Sequence, residues 1–451
     1  MHIKTPIYDF VTEYLKNDMS RLHMPGHKGQ NILGCEARDI TEIEGADYLL
    51  DSDGIIAESE AIASHFFNTA CTIYSTEGST LAMKTMLRLA MMYSDRQHKF
   101  RILAARNVHN SFVYACALLD FDVKWLYGED PDSICQCQIT AEGLRTALDE
   151  MTEQPDAVFV TSPDYLGNMT DIQGLAKICH ERDILLLVDN AHGAYLRFLP
   201  VSLHPMDMGA DMCCDSAHKT LPVLTGGAYL HISKRLKERY GVLYRDAKKA
   251  MSLFSSTSPS YLILQSLDLC NVYLGEDFPK QLKDTCDLIR TLKEDLDQYN
   301  IHTELYEPLK LLVDCASLGL TGAETAQYLR DRHIECEYAD HYDLVLMMTP
   351  KNDIRDLKRI KKALMELSGK KLALQRDFPV LPKPIQACSI REAILAPSVR
   401  IPIEEASGRI CASPSISYPP AVPVAVSGEF ITEQMIRVMK WYGIKEVDVI
   451  K

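Results

Sequence analysis

Two hydrophobic patterns alternate along much of this chain. Short apolar runs at residues 101–105, 157–161 and 184–188 are typical of buried strands. Between them, residues 141–151 and 172–182 repeat apolar positions at helical spacing. Strands that alternate with helices in this way predict an α/β fold, with a mainly parallel sheet covered by helices on both faces.

The alternation restarts after residue 309 and predicts a second, smaller α/β part with its own core. Strands are expected at residues 311–314 and 344–348, and helices at 323–332 and 353–367. Residues 369–390 are rich in Lys and Pro, which is typical of a linker.

Composition narrows the classes of function. The chain has 451 residues, of which 47% are hydrophobic and 24% charged, as in an ordinary globular protein. The net charge of −14 disfavours a nucleic-acid partner. Residues 1–20 lack a signal-peptide pattern, and no apolar run approaches the roughly 20 residues that span a bilayer. The 14 Cys show no paired metal-binding spacing, so we expect a cytoplasmic protein with free thiols, no metal and no membrane partner.

The candidate chemistry centres on Asp189 and Lys219. Asp189 ends the apolar run at 184–188, and Lys219 follows it among small and hydroxyl residues. Pyridoxal phosphate needs these two groups, an amine for a Schiff base and a carboxylate for the pyridine nitrogen. Alone, Asp189 could cap a turn and Lys219 could be a surface residue. Because several parts of one site agree, we predict a pyridoxal phosphate site.

Two further stretches fit that cofactor. Residues 72–80, which include Gly78, Ser79 and Thr80, precede a Leu- and Met-rich segment. This pattern predicts a turn over 72–80 and then a helix capped by Ser79 or Thr80. The free N–H groups and dipole of such a helix start favour a phosphate, although a plain N-cap explains the pattern as well. His109 follows the strand at 101–105, where it could stack on a flat ring or act as a structural residue.

As an ordered set, the motifs resemble the Orn/Lys/Arg decarboxylase family, which has the aminotransferase-like fold type I of pyridoxal phosphate enzymes. The resemblance covers almost the whole chain, and its specificity lies in the order of the motifs. They are His23-Met24-Pro25-Gly26-His27-Lys28-Gly29, Thr41-Glu42, Gly78-Ser79-Thr80, Arg106-Asn107-x-His109, Asp189-x-Ala191-His192-Gly193-Ala194, Ser216-x-His218-Lys219-Thr220-Leu221, Thr257-Ser258-Pro259-Ser260-Tyr261, Glu405-Ala406-x-Gly408-Arg409-Ile410, Tyr418-Pro419-Pro420 and Gly428-Glu429.

The resemblance implies roles for the site residues. Lys219 would carry the cofactor, Asp189 would pair with its ring nitrogen, and His109 and Ala191 would lie on opposite faces of the ring. Lys219 or His218 would return a proton to the product. The other implied cofactor contacts are Gly78, Ser79, Thr80, His192, Ser216, His218 and Thr257, the last from a partner subunit.

The resemblance also implies a homodimer, because fold type I sites lie between two subunits. We divide the chain into four parts. They are an N-terminal segment that contributes to the active site and dimer (1–60), a large cofactor-binding domain (61–300), a small α/β domain (301–368) and a C-terminal family-specific region (369–451).

The implied reaction is decarboxylation of arginine, lysine or ornithine to the amine and CO2. The alternatives are an aminotransferase, with Arg400 as a carboxylate clamp, a lyase on the same scaffold, or a catalytically silent regulatory paralogue. An acidic side chain must meet the distal cation of such a substrate, and the candidates are Glu404, Glu405 and Asp164. The sequence does not distinguish the three substrates, or polyamine synthesis from acid protection.

Four positions depart from the family's pattern. Glu77 precedes the phosphate glycine, where a carboxylate is unfavourable unless it points away. Leu166 stands where a second Tyr is expected after Tyr165, and Ala421 and Ser427 replace the usual Gly and Pro. These departures bear on the substrate and the level of activity, and they leave the cofactor assignment intact.

Overall fold

The structure is a computed structural model that describes residues 3–17, 19–94, 98–128, 133–241, 243–304, 306–369, 372–381, 383–415 and 420–451. Tyr418 and Pro419 of the predicted C-terminal motif lie outside the described residues.

The helices follow one another in this order: α1 (Pro6–Lys16), α2 (Ile55–Phe66), α3 (Gly78–Met92), α4 (Asn110–Leu119), α5 (Ala141–Asp149), α6 (Ile172–Glu181), α7 (Ala217–Thr220), α8 (Lys234–Tyr240), α9 (Tyr244–Met251), α10 (Tyr261–Gly275), α11 (Phe278–Asp297), α12 (Gly322–Arg330), α13 (Ile354–Met365), α14 (Ile390–Leu395) and α15 (Glu433–Trp441).

The strands are β1 (Cys71–Ser75), β2 (Arg101–Ala105), β3 (Asp122–Leu126), β4 (Ala157–Thr161), β5 (Leu185–Asp189), β6 (Met212–Asp215), β7 (Ala228–Ile232), β8 (Thr303–Glu304), β9 (Lys310–Asp314), β10 (Tyr338–Ala339), β11 (Asp343–Met347), β12 (Ser398–Pro402) and β13 (Glu446–Ile450). The predicted strands at 101–105, 157–161 and 184–188 are therefore confirmed as β2, β4 and β5.

The first of two compact units combines Met1–Phe100, Met151–Val160 and Asp171–Gln281. Its strands follow the order β1-β7-β6-β5-β4. β5 and β6 are parallel, while β7 is antiparallel to both of its neighbours. Every residue of β5, β6 and β7 is buried, which explains why these strands lack a polar alternation. Because β5 and β6 run in the same direction, their carboxyl ends lie at the same edge of the sheet. Asp189, the last residue of β5, and Ser216, the residue after β6, are therefore both at that edge.

The N-terminal helix of this unit is held by a buried acid on another helix. Asp268 of α10 accepts the backbone N–H groups of Ile7 and Tyr8 through Oδ2, at 2.9 Å each. Those groups belong to the first turn of α1 and have no partner within that helix. Burial raises the pKa of Asp268 to about 6.

The second unit combines Arg101–Glu150, Thr161–Thr170 and Leu282–Lys451. Its strands β2 and β3 pair in parallel, and a separate antiparallel sheet has the order β10-β11-β9-β8. β12 and β13 form a further antiparallel pair. The separate sheet agrees with the predicted smaller α/β part, while the division into four parts stays a prediction.

Two local predictions were wrong. Helix α3 begins at Gly78 with Glu77 as its N-cap, so Ser79 and Thr80 lie inside the first turn and cap nothing. The segment before it, taken as a turn, contains the fully buried strand β1. Among the described residues, no helix combines the length and apolar character needed to cross a bilayer.

Candidate active site

Lys219 lies on the short helix α7, directly after β6, and meets a histidine from the end of β5. Its Nζ is 3.0 Å from Nε2 of His192, which is buried. Because a lysine nitrogen donates, Nε2 of this imidazole accepts, and in a neutral ring the hydrogen is then on Nδ1. The two motifs that the sequence placed in one site are thus in direct contact.

Asp189 is a buried carboxylate beside this pair. It is 3% exposed, and its Oδ1 accepts the backbone N–H of Ala191 at 3.1 Å and the thiol of Cys214 at 3.7 Å. Burial raises the pKa of Asp189, and the charge of Lys219 opposes that rise. A buried carboxylate gains stability from a cationic partner, and a protonated pyridine nitrogen would be such a partner.

Three segments converge where the sequence predicted a phosphate. Gly78 has φ +72°, and a Cβ built on it meets nothing within 4 Å. Its N–H donates to the carbonyl of Gly226 at 2.7 Å, which fixes the start of α3. The hydroxyl of Ser216 donates to that of Ser79 at 2.7 Å, so β6 and the first turn of α3 are joined. A helix start with free N–H groups and two hydroxyls suits a phosphate.

His218 is oriented by the backbone. Its Nδ1 lies 3.0 Å from the carbonyl oxygen of Gly227, so that nitrogen carries the hydrogen and donates. Burial lowers the pKa of His218, the Gly227 carbonyl opposes this, and the charge of Lys219 adds to the lowering. A neutral imidazole is a poor proton donor, which favours Lys219 for that role.

Two predicted site residues, His109 and Thr257, lie on elements other than those that carry Lys219 and Asp189. His109 belongs to the second unit, where it caps α4 and its Nδ1 accepts from the backbone N–H of Ser111 at 3.2 Å. Thr257 is exposed on the loop that precedes α10. The proposed stacking of His109 and the reach of Thr257 into a partner subunit stay predictions.

Glu77 points towards that same loop. Its Oε1 accepts from the hydroxyl of Ser255 and the backbone N–H of Ser256, at 2.8 Å each. The carboxylate is therefore engaged by the loop that carries Thr257.

The other departures lie in the second unit, each in a defined environment. Leu166 is 1% exposed and packs in a hydrophobic core with Ile134 and Val424. Ala421 has φ +61°, a left-handed conformation that favours the glycine expected there. The Oγ of Ser427 is buried and has no hydrogen-bond partner among the described residues, as expected for a position usually taken by Pro.

The structure also shows an ion pair that the sequence did not predict. Arg106 Nη2 lies 3.0 Å from Oε2 of Glu429, whose side chain is 1% exposed. Both residues stand in predicted motifs, but nothing in their spacing indicates that they meet. The contact joins the end of β2 to the C-terminal region within the second unit.

Comparisons of the sequence with known proteins find one family over most of the chain. The family description "Orn/Lys/Arg decarboxylase, major domain" matches residues 5–310, and the C-terminal domain of the same family matches residues 376–446. An arginine decarboxylase of Bacillus subtilis is 31% identical, over 96% of this chain and 92% of its own length. Another from Halalkalibacterium halodurans is 30% identical, over 95% and 91%.

Solved structures show the same fold at low identity. The lysine decarboxylase LdcF of Francisella novicida superposes with a TM-score of 0.79 at 17% identity, over all of this chain and 81% of its own. An alanine–glyoxylate aminotransferase from Nostoc has a TM-score of 0.55 at 18% identity, over 71% of this chain and 88% of its own.

The fold is that of the fold type I class of pyridoxal phosphate-dependent enzymes. Within that class, the chain belongs to the Orn/Lys/Arg decarboxylase family. The predicted fold class and the predicted decarboxylase function are confirmed at the level of this family.

Proposed function

We propose that this protein decarboxylates arginine, with pyridoxal phosphate held in the first unit by Lys219 and Asp189. This proposal rests mainly on the contact between Lys219 and His192 beside the buried Asp189 carboxylate, in a chain of this family. Arginine is the first candidate because the relatives in the comparisons at 30–31% identity are named arginine decarboxylases. Lysine and ornithine are the other substrates that the family name covers.

The residues present fit the cofactor. Lys219 would hold it through its amine, Asp189 would face the ring nitrogen, and the first turn of α3 with Ser79 and Ser216 would hold the phosphate. When bound, pyridoxal phosphate supplies an electron sink for the electron pair that remains when CO2 departs. Asp189 would support that chemistry by stabilising a positive charge on the ring nitrogen.

The protein's own proton chemistry centres on Lys219. Nε2 of His192, 3.0 Å from Nζ, is placed to accept a proton from the lysine nitrogen and to return it. His218 is tied to the Gly227 carbonyl with a lowered pKa, so it orients the site more than it donates. We therefore assign the proton that replaces the carboxylate to Lys219 Nζ.

For the acid that would meet the guanidinium of the substrate, we propose that Asp164 is the weakest of the three candidates. Oδ1 of Asp164 accepts three backbone N–H groups at 2.9 Å, and Oδ2 accepts from the amide of Asn168 at 2.8 Å. That carboxylate organises its own loop and is a poor substrate ligand. Glu404 lies 3.3 Å from Lys440, both on the surface. Glu405 is exposed as well, so both Glu404 and Glu405 stay candidates for this acid.

The aminotransferase alternative needs Arg400 to hold the substrate carboxylate, but Arg400 is paired with Asp448. Both carboxylate oxygens of Asp448 are bonded by Arg400, at 3.1 Å from Nε and 3.0 Å from Nη2. This ion pair joins β12 to β13 on the surface, and it occupies the guanidinium that would have to hold a substrate carboxylate.

We further propose a cytoplasmic homodimer that makes a polyamine precursor. Support for the dimer comes from a run of exposed apolar side chains in the N-terminal segment, which a second copy of the chain would cover. They are Met19, Leu22, Met24, Ile32 and Leu33, from 58% to 93% exposed. Replacing Leu22 and Leu33 with Ser should shift the mass measured by light scattering towards the monomer, and an unchanged dimer would contradict this interface.

The cofactor assignment is tested by borohydride reduction of the pyridoxal phosphate-loaded protein and peptide mapping. The expected result is a pyridoxyl mass on Lys219, and a label elsewhere contradicts the assignment. Product analysis then separates the reactions: CO2 with agmatine from arginine supports decarboxylation, and a keto acid supports transamination. Release of CO2 from lysine or ornithine alone would overturn arginine as the substrate.

A further inference from the structure

A buried cluster of four potential metal ligands lies in the first unit, and none of the four is among the residues assigned to the cofactor. It consists of His204, Cys213, Asp215 and His231, each 0% exposed. One ligand atom from each residue lies within 4.8 Å of the others. The four are scattered along the sequence, so motif spacing gave no sign of them.

The sheet brings three of these side chains to one face. β6 and β7 are antiparallel, and Cys213 lies directly opposite His231. Asp215 is two residues after Cys213 and so points to the same face. His204 enters from the segment before β6. Nε2 of His204 and Nε2 of His231 lie 2.9 and 3.0 Å from Oδ2 of Asp215, and Cys213 Sγ lies 3.9 Å from Oδ1.

We propose that this cluster binds one divalent ion of the zinc type through the two Nε2 atoms, the Asp215 carboxylate and the Cys213 thiolate. Imidazole, thiolate and carboxylate together are a donor set that Zn²⁺ takes in proteins. Binding breaks the S–H bond of Cys213 and releases that proton to solvent, while each neutral imidazole keeps its hydrogen on Nδ1. A dication with one carboxylate, one thiolate and two neutral imidazoles has no net charge, which a fully buried site requires.

The residues around the cluster resemble those around a structural zinc site, in which the protein supplies all four ligands. Thr72 Oγ1 lies 2.9 Å from Nδ1 of His231, on the side of the ring away from the cluster, where it can accept the imidazole hydrogen. The ring of Phe67 packs against both imidazoles, with centroids 4.4 Å from His231 and 5.6 Å from His204. With four protein ligands and no access to solvent, the ion would be structural.

The same atoms can form a metal-free hydrogen-bond network. In that state both Nε2–H groups donate to Asp215 Oδ2, and Asn190 donates to Oδ1 at 2.6 Å. The backbone N–H of Met206, 3.4 Å from Nδ1 of His204, fits this state, and metal binding gives up that long contact. The two states differ in measurable ways.

The test uses the full chain without a polyhistidine tag, produced in zinc-supplemented medium and passed through gel filtration in metal-free buffer. Elemental analysis should find close to one zinc per chain. The chain refolded with Co²⁺ should show the d–d absorption of a tetrahedral site and a thiolate-to-cobalt charge-transfer band in the near ultraviolet. Absence of both stoichiometric zinc and the cobalt spectrum would overturn the proposal in favour of the metal-free network.

Variants assign the signal to these residues. Cys213→Ser should lose the charge-transfer band, and His204→Gln should lower the zinc content several-fold. The matched control is Cys179→Ser, which alters another fully buried free thiol of the same unit and should keep both signals. A charge-transfer band that persists in Cys213→Ser would overturn the assignment. If that variant does not fold, the metal content and cobalt spectrum of the unaltered chain decide the question.

Discussion

The buried ion pair between Arg106 and Glu429 allows a quantitative prediction about the second unit. The Glu429 side chain is 1% exposed and that of Arg106 14% exposed, and their atoms meet at 3.0 Å. Oε2 of Glu429 also accepts the backbone N–H of Val426 at 2.7 Å, and Arg106 donates to the carbonyl of Val424 at 3.3 Å. Loss of either charge leaves the other without its partner in a largely buried site.

The size of the effect follows from that burial. Removing one partner of a buried pair costs about 3–5 kcal/mol. The destabilisation by Arg106→Met should fall within that range at neutral pH, because this change leaves the more buried charge, that of Glu429, without a partner. Glu429→Gln should lie near the lower end, because the amide keeps the shape and Arg106 keeps some solvent. The pKa of Glu429 is raised by burial and held back by Arg106, so the carboxyl of Arg106→Met can take up a proton and its penalty should shrink in acid.

Urea unfolding followed by tryptophan fluorescence measures these costs, because both Trp residues, Trp125 and Trp441, belong to the second unit. The double variant Arg106→Met/Glu429→Gln should cost less than the two single changes together, by about 2 kcal/mol or more. The control is Arg400→Met at the exposed Arg400–Asp448 pair, which should leave the unfolding midpoint unchanged. Additive costs at Arg106 and Glu429, or an equal loss at Arg400, would show that the buried pair does not stabilise the second unit in this way.

Three further predictions concern stability. Ser427→Ala removes a buried hydroxyl that has no partner among the described residues, so the free energy of unfolding should rise by about 1 kcal/mol, and a fall contradicts this. Ala421→Gly relieves a left-handed backbone at φ +61°, and after the extra entropy of Gly in the unfolded chain the net gain should be about 0.5 kcal/mol; a lower urea midpoint argues against it. Burial raises the folded-state pKa of Asp268 from 3.8 to about 6, so its stabilising contribution is full below about pH 4 and lost as pH rises through about 6, a difference of about 3 kcal/mol. Unfolding of wild type and Asp268→Asn from pH 4 to pH 7 should therefore show wild-type stability declining relative to the variant, and parallel curves would count against it.

The sequence predicted those parts of the fold whose local pattern and tertiary role agree. The apolar run that ends at Asp189 is typical of a buried strand, and the structure places it as β5 with Asp189 as its last residue. His192 and Lys219 were assigned to one site from motif order, and they meet at 3.0 Å.

The errors arose where distant contacts outweigh local preference. Ser79 and Thr80 are good capping residues, but a bond from the Gly78 N–H to the Gly226 carbonyl starts the helix before them. β1 has a hydroxyl-rich sequence typical of a turn, yet it pairs with β7 and buries Thr72 against His231. The Arg106–Glu429 contact is equally invisible, because no periodicity relates residues so far apart.

The most direct test of the central claim is CO2 release from arginine by the pyridoxal phosphate-loaded protein and by Lys219→Ala in parallel. Lys234→Ala, an exposed lysine of the same unit, serves as the matched control. We expect CO2 and agmatine from wild type and from Lys234→Ala, and a loss of several orders of magnitude in Lys219→Ala. Equal release by Lys219→Ala, or none by wild type from arginine, lysine or ornithine, would contradict it.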